Sequence, residues 1–304
     1  MRILAQIEVI AALPYNRLVK ALPDRLRQET TSPQRHAHTW PGDATLLLMP
    51  AWTNTIGGVK IVNITPGNAK RSLPAVAASY IVIDAETGEH LALLDGGELT
   101  ARRTAAVAAV AADRLAVDEA HKLLLVGSGR IATELAFAYR AVRDIREVEI
   151  YSPTHANAEK LAHHLRDNGF AATASNDLEA SVRGADIIAC ATLSSRPLIV
   201  GEWLRAGQHV ALIGGFTPDM READDAAMAR AKVWVDSAAA LSEAGDLSVP
   251  LARGVLKVED IRGTLRDLCG LGAIAGRDEE ITLFKSVGDA AQDLAAASIA
   301  LGTA

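Results

Sequence analysis

Lys122–Val126 is a nearly continuous apolar run, and Gly127-Ser128-Gly129-Arg130-Ile131-Ala132 follows it without a break. Such a run suits a central parallel strand buried on both faces. The residues beyond it, to about Val142, carry a helical pattern. A G-x-G-x-x-G/A string is weak evidence alone, but between a buried strand and a helix it is fairly specific for a dinucleotide site. Gly127 permits the sharp turn, Gly129 lets backbone approach a pyrophosphate, and Ala132 lets helix and strand pack closely. The first helical turn, with Arg130 and Ile131, offers unpaired N–H groups and partial positive charge to phosphates. The competing reading is a tight strand–helix turn with no ligand.

The surrounding pattern fixes the fold class. Strands are expected at Glu147–Tyr151, Ala171–Ala174, Asp186–Ala191, His209–Ile213 and Lys232–Val235, alternating with helical stretches such as Ala156–Asn168. That alternation predicts an α/β Rossmann domain, a doubly wound parallel sheet, over 116–283. Before it the grammar is mixed. Leu13–Arg27 has helical spacing, and Ala44–Met49, Gly58–Ile64, Ser79–Asp84 and His90–Leu94 read as strands separated by Gly and Pro turns. Glu98–Leu115 is an Ala-rich helix. A last helix, Gly288–Leu301, follows the final strand and is opened by Ile281–Gly288. It is expected to return to the first domain, making that domain a discontinuous α+β unit of 1–115 and 284–304.

Composition removes several function classes. The chain has 304 residues, a net charge of −6 and no long basic run, so nucleic acid is not an expected partner. Half the content is hydrophobic (49%) but only 4% is aromatic, which suits Ala-rich helices laid closely on a sheet. Cys190 and Cys269 lack disulfide or metal spacing, and the histidines have no ligand partners at suitable spacing, so no metal is expected. Gln6 and Glu8 interrupt the N-terminal apolar stretch, and no run approaches a bilayer span of ~20 residues. A cytoplasmic location is the expectation.

The second strand bears on the choice of dinucleotide. NAD sites usually place an acid at its end, against the adenosine ribose. Here Ile150-Tyr151-Ser152-Pro153-Thr154-His155 has none. Ser152 and Thr154 suit a 2′-phosphate, which favours NADP(H), while the lack of an arginine keeps NAD open. Ser152-Pro153-Thr154 also reads as a plain capping turn before Ala156.

Three segments remain. Gly57-Gly58-Val59-Lys60 sets a lysine in an apolar strand. Leu99–Ala106 sets Arg102 and Arg103 in an alanine helix, and Ile281–Gly288 precedes the last helical run. Taken singly, a surface lysine, a solvated face and a helix cap explain them. Their order around the glycine turn, with Leu48-Met49-Pro50 and Pro66-Gly67-Asn68, closely resembles the ornithine cyclodeaminase/μ-crystallin family from about Arg35 to the final helix. The resemblance implies a homodimer that binds a small imino or amino acid against a nicotinamide. It implies that Arg35, Lys60 and Arg103 grip the substrate carboxylate and that Val287 borders the substrate. It further puts Thr192, Ile213, Gly214 and Gly215 beside the dinucleotide, with Arg103 also at the cofactor and Ser286 near the nicotinamide. Guanidinium forks and a compact ammonium suit that task.

The departures from the cyclodeaminases are chemical. Those enzymes carry an aspartate where this chain has Phe216 and an acid where it has Leu47; Ala75 replaces a cofactor-contacting threonine. Ring closure of a diamino acid needs a group to take a proton from an ammonium, and neither Phe nor Leu can. Asp219 and Glu222 lie just downstream, and nothing in the sequence shows that either substitutes. Hydride transfer to a preformed C=N bond survives these losses. The expectation is therefore an NAD(P)H-dependent ketimine reductase of the pyrroline-2-carboxylate type, with Lys60 as its catalytic cation. Ornithine cyclodeaminase, an amino-acid dehydrogenase and a non-catalytic NADPH-binding protein are the alternatives.

Overall fold

A computed structural model describes residues 1–41, 43–71 and 73–303; positions 42, 72 and 304, which the expected first domain includes, lie outside the described residues. The chain forms two compact units, 1–103 with 289–304, and 104–288. Helix Gly96–Leu115 runs from the first into the second.

The first unit carries strands β1 (Arg2–Leu4), β2 (His36–Trp40), β3 (Ala44–Trp52), β4 (Ile56–Ile64), β5 (Val76–Asp84) and β6 (His90–Asp95). They form one sheet in the order β1-β6-β5-β4-β3-β2, antiparallel except for the β1–β6 pair. The period-2 alternation of strands then decides burial. Met49, Ala51, Gly58, Lys60, Val62, Tyr80, Val82, Ala92 and Leu94 share the buried face through their register. The C-terminal helix Ala290–Leu301 packs on β3 and β4, and on helix Tyr15–Arg27. Three elements escape the sequence reading: β1, helix Gln6–Ala12 and β2. Each is short, and β2 is an edge strand with all five residues exposed, so no apolar alternation marks it.

The second unit carries β7 (Lys122–Val126), β8 (Glu147–Tyr151), β9 (Ala171–Ser175), β10 (Ile187–Cys190), β11 (His209–Leu212), β12 (Ala231–Val235), β13 (Ile261–Thr264) and β14 (Ile281–Lys285). All eight are parallel, in the order β13-β12-β14-β11-β10-β7-β8-β9. Helices such as Arg130–Arg140 and His155–Asp167 follow strands as crossovers of a doubly wound sheet should. One correction is substantial. Ile281–Lys285 does not open the last helix; it is a fully buried strand between β11 and β12. Its Ile, Thr and Phe favour strand, and the terminal Lys285 is compatible with burial because Asp246 lies 2.8 Å from its ammonium. The last helix begins instead at Ala290, capped by the Asp289 carboxylate, which accepts from the Ala291 N–H at 2.7 Å. Short β13, with polar Arg262 and a left-handed Gly263, also lacks a legible pattern. Among the described residues no helix is long and apolar enough to cross a membrane, and no cluster of His, Cys, Asp and Glu is set to hold a metal.

Candidate functional site

Strand order reverses between β7 and β10, since β8 and β9 add on one side and the later strands on the other. In an open parallel sheet that reversal opens a crevice at the strands' carboxyl ends. Gly127 sits at this point with φ +114°, and a Cβ there would stand 2.6 Å from the Ala191 carbonyl oxygen. Only glycine meets both conditions. Gly129 is the N-cap of helix Arg130–Arg140, with open space where a side chain would be. The Gly129 N-cap has no side chain to cap this helix, so its first turn, with Arg130 and Ile131, suits a phosphate. Beside them the Ser128 hydroxyl donates to the buried Ser152 hydroxyl at 3.1 Å, and exposed Thr154 precedes the next helix. The fold therefore brings Gly127, Gly129, Arg130, Ile131, Ser152 and Thr154 to the ends of β7 and β8. The cradle fits a pyrophosphate.

Glu222 organises the neighbouring loops. One carboxylate oxygen accepts from the Thr192 N–H at 2.7 Å and hydroxyl at 2.8 Å; the other accepts from the N–H groups of Gly214 at 2.8 Å and Gly215 at 3.2 Å. Ile213, buried just before them, donates its N–H to the Cys190 carbonyl at 2.8 Å. A side chain at position 214 would overlap the Thr192 backbone. Burial pushes the Glu222 carboxyl above its ordinary range, and Lys285 opposes that shift. Asp246 completes the group: it accepts from the Glu222 and Ala223 N–H groups at 2.7 and 3.1 Å and pairs with Lys285. Four donors already occupy Glu222, so it clamps loops and has no lone pair aimed at a reacting ammonium. Asp219 is exposed, and its Thr217 hydrogen bond holds its carboxyl below the usual range.

Asp236, to which sequence reasoning assigned no role, fixes the segment after β14. One of its oxygens accepts from the Ser286 hydroxyl at 2.8 Å and from the N–H groups of Val287 and Gly288 at 3.0 and 2.7 Å. Ser286 and Val287 thus stand on a braced turn.

In the first unit, Lys60 is not the surface lysine of the competing reading. It lies in the middle of β4 on the buried face, 3% exposed. Its ammonium is 2.7 Å from one oxygen of Asp293 on the C-terminal helix, and Arg103 Nε donates to the other at 2.8 Å. Arg103 Nη1 also donates to Gln292 Oε1 at 2.8 Å. Burial pushes the Lys60 ammonium down to about 8; Asp293 works against this, and Arg103 and Arg35 add to it. Burial opposes ionisation of Asp293, yet Arg103 and Lys60 outweigh it and hold the carboxyl below the ordinary range. Tyr80 faces Lys60 across the β4–β5 register, and its ring lies over Gly58, where a Cβ would come within 2.7 Å of the ring. Its hydroxyl is buried without a hydrogen-bond partner among the described residues. The cluster joins Lys60 and Arg103, with Arg35 near enough to act on the lysine. Arg102, by contrast, serves the fold: its Nε donates to the Leu13 carbonyl and its guanidinium lies 4.5 Å from the Tyr15 ring centre.

Asp293 escaped the sequence reading, although a signal existed. Ala290–Leu301 is apolar around its whole circumference except at Gln292, Asp293 and Ser298. Such a helix is buried, and a carboxylate on it requires a cationic partner.

A doubly wound sheet with a glycine cradle at its switch point defines a Rossmann-type dinucleotide-binding protein. The chain belongs to the ornithine cyclodeaminase/mu-crystallin family, whose profile matches residues 2–301. Among its relatives, the Δ1-pyrroline-2-carboxylate reductase of Paracoccus denitrificans is 39% identical over 282 residues, covering 90% of this chain and 89% of the relative. The Thermococcus litoralis Δ1-pyrroline-2-carboxylate reductase, solved with NADH and L-proline, superposes with a TM-score of 0.92 at 29% identity, covering 99% of this chain and 97% of that one. An archaeal alanine dehydrogenase dimer with bound NAD gives a TM-score of 0.91 at 31% identity, covering 99% and 95%.

Proposed function

We propose that this chain is a nicotinamide-dependent reductase of cyclic imino acids that carry a carboxylate on the imine carbon, as Δ1-pyrroline-2-carboxylate does. The carrying observation is the charge balance around Asp293. Two buried cations, Lys60 and Arg103, share one carboxylate. Excess positive charge in a buried cluster is stabilised by a further anion, and a substrate carboxylate supplies it.

The dinucleotide would be held by the Gly127–Gly129 turn, the first turn at Arg130 and Ile131, and the loops at Ser152, Thr154, Thr192, Gly214, Gly215 and Ser286. The nicotinamide, when bound, supplies hydride to the imine carbon. Arg103 and Arg35 bind the carboxylate and fix the ring's orientation. Lys60 binds the same carboxylate and, as an ammonium, stabilises or delivers the proton that the imine nitrogen must carry. Positioning of this kind contributes the larger part of the protein's share in a hydride transfer. Cyclodeamination lacks a base at the named positions: 47 and 216 are Leu and Phe, Glu222 is occupied by four donors, and Asp293 is neutralised by two cations.

Ser152, Thr154 and the absence of an acid at the end of β8 support NADP(H) over NAD(H), although the two solved relatives hold NADH and NAD. Substrate binding and dimerisation are assigned to the first unit and dinucleotide binding to the second; the relative solved as a dimer supports the assembly. The test is a panel of Δ1-pyrroline-2-carboxylate, its six-membered homologue, L-ornithine and L-alanine, followed by cofactor absorbance and ammonia release. The expected result is stoichiometric oxidation of NADPH or NADH with the cyclic imines. Ammonia from ornithine without net cofactor turnover, or no turnover of either imine, would overturn it.

A further inference from the structure

We propose that Asp293 is a positioning residue, which sets the direction of Lys60 and Arg103 and the charge of Lys60, and through them the grip on the substrate carboxylate. What the cations bind rests on the imino-acid reading above; the cluster itself does not.

The geometry carries the case. Asp293 is fully buried on a helix that is apolar on every side, where an ionised carboxylate is retained only against opposite charge. Each of its oxygens takes a different cation, Lys60 from β4 and Arg103 from helix Gly96–Leu115. Gln292, its neighbour, takes Nη1 of the same guanidinium. Two of the three guanidinium nitrogens of Arg103, Nε and Nη1, are therefore tied to the C-terminal helix. A planar guanidinium held at two nitrogens is fixed in plane and direction, which orients its remaining N–H groups for a second carboxylate. A lysine has no such rigidity of its own, and the ion pair at 2.7 Å supplies it.

Charge follows from the same contacts. The groups facing Lys60 are Asp293 from the C-terminal helix, Arg103 from helix Gly96–Leu115, Arg35 from the segment before β2, and the neutral phenol of Tyr80 from β5. Asp293 is the one anion among them. Burial and two like charges favour a neutral amine, and Asp293 alone opposes them. Without that carboxylate Lys60 would lose its proton at lower pH and cease to attract an anion near neutrality.

The test separates charge from shape. Asp293→Asn keeps the outline and can still accept from Arg103, but removes the charge. The loss of kcat/KM for Δ1-pyrroline-2-carboxylate at high pH should begin near pH 8 in the wild type and move down by about 1–3 units in D293N. Asp293→Glu keeps the charge and moves the oxygens: the limb should stay near 8 while KM rises about tenfold or more. A purely structural role would lower activity by the same factor at every pH, and that result would overturn the proposal. If D293N does not fold, an unchanged KM in D293E overturns it. A readout free of turnover is the NMR titration of the Lys60 side chain in protein without substrate, its signal identified by its loss in K60R. A midpoint lower in D293N than in wild type supports the positioning role, even if no cyclic imine is reduced and the functional reading falls. Equal midpoints contradict it, whatever the substrate proves to be.

Discussion

Two buried ionic clusters stand in this protein, one in each unit, with opposite arithmetic. In the first unit one carboxylate, Asp293, serves two cations. In the second one cation, Lys285, serves two carboxylates, 2.8 Å from Asp246 and 3.9 Å from Glu222. The second cluster is internally complete, because the lone pairs of its carboxylates are taken by backbone N–H groups and the Thr192 hydroxyl. The first is not, because its cations outnumber their anion and the nearby Tyr80 hydroxyl lacks a partner among the described residues. A satisfied network of buried polar groups rigidifies its surroundings; an unbalanced one is a place for a ligand. By this reasoning the Lys285 cluster is scaffold for loops, and the Lys60 cluster is where substrate charge is read.

The comparison can be broken by exchanging the expected phenotypes. Lys60→Met should lower kcat/KM by a factor on the order of 10²–10³, the cost of losing one partner of a buried charge contact. Its thermal stability should change little, because Asp293 keeps Arg103 and the desolvation cost of a buried ammonium disappears. Lys285→Met should do the reverse in kind. It leaves two buried carboxylates without their cation and should cost about 3–5 kcal/mol of unfolding free energy, measured by urea titration. A K60M protein that unfolds as readily as K285M would erase the distinction between the clusters. A smaller effect sharpens the second unit's role. Ser152→Asp places an acid beside Ser128 at the end of β8 and should shift the NADPH to NADH preference about tenfold towards NADH, since a carboxylate repels a 2′-phosphate. The smallest concerns Tyr80. Tyr80→Phe removes a hydroxyl with no hydrogen-bond partner among the described residues, so unfolding free energy should hold within about 0.5 kcal/mol of the wild type. A loss well beyond that would mean the phenol is already satisfied within the fold.

How far the sequence disclosed all this depended on the distance over which each residue acts. The glycine turn was legible because strand, turn and helix are contiguous from Lys122 to Arg140, and their chemistry is local. β7 was legible to the residue because it is apolar after Lys122 and buried on both faces, and β8 because buried Val148 and Ile150 alternate with Glu147, Glu149 and Tyr151. β14 was not, because its Thr282 and Lys285 break the apolar run and their partners, Leu115 and Asp246, lie far away in the chain. Lys60 and Arg103 stood out as charges in apolar segments, and the family resemblance gave them a task. The carboxylates that hold them or brace the loops did not stand out. Asp293 lies 190 residues from Arg103, and Asp236 50 residues from Ser286, so in sequence each resembles a solvated acid. Burial is what gives such an acid its meaning, and burial is a tertiary property.

The most direct measurement compares two substrates that differ only in the carboxylate: Δ1-pyrroline-2-carboxylate and the bare Δ1-pyrroline ring. The expected preference is about 10³-fold or more in kcat/KM for the carboxylated imine, the worth of two charge-assisted contacts. Arg103→Met should erase most of that preference. Equal turnover of both imines by the wild type, or a preference that survives in R103M, would contradict it.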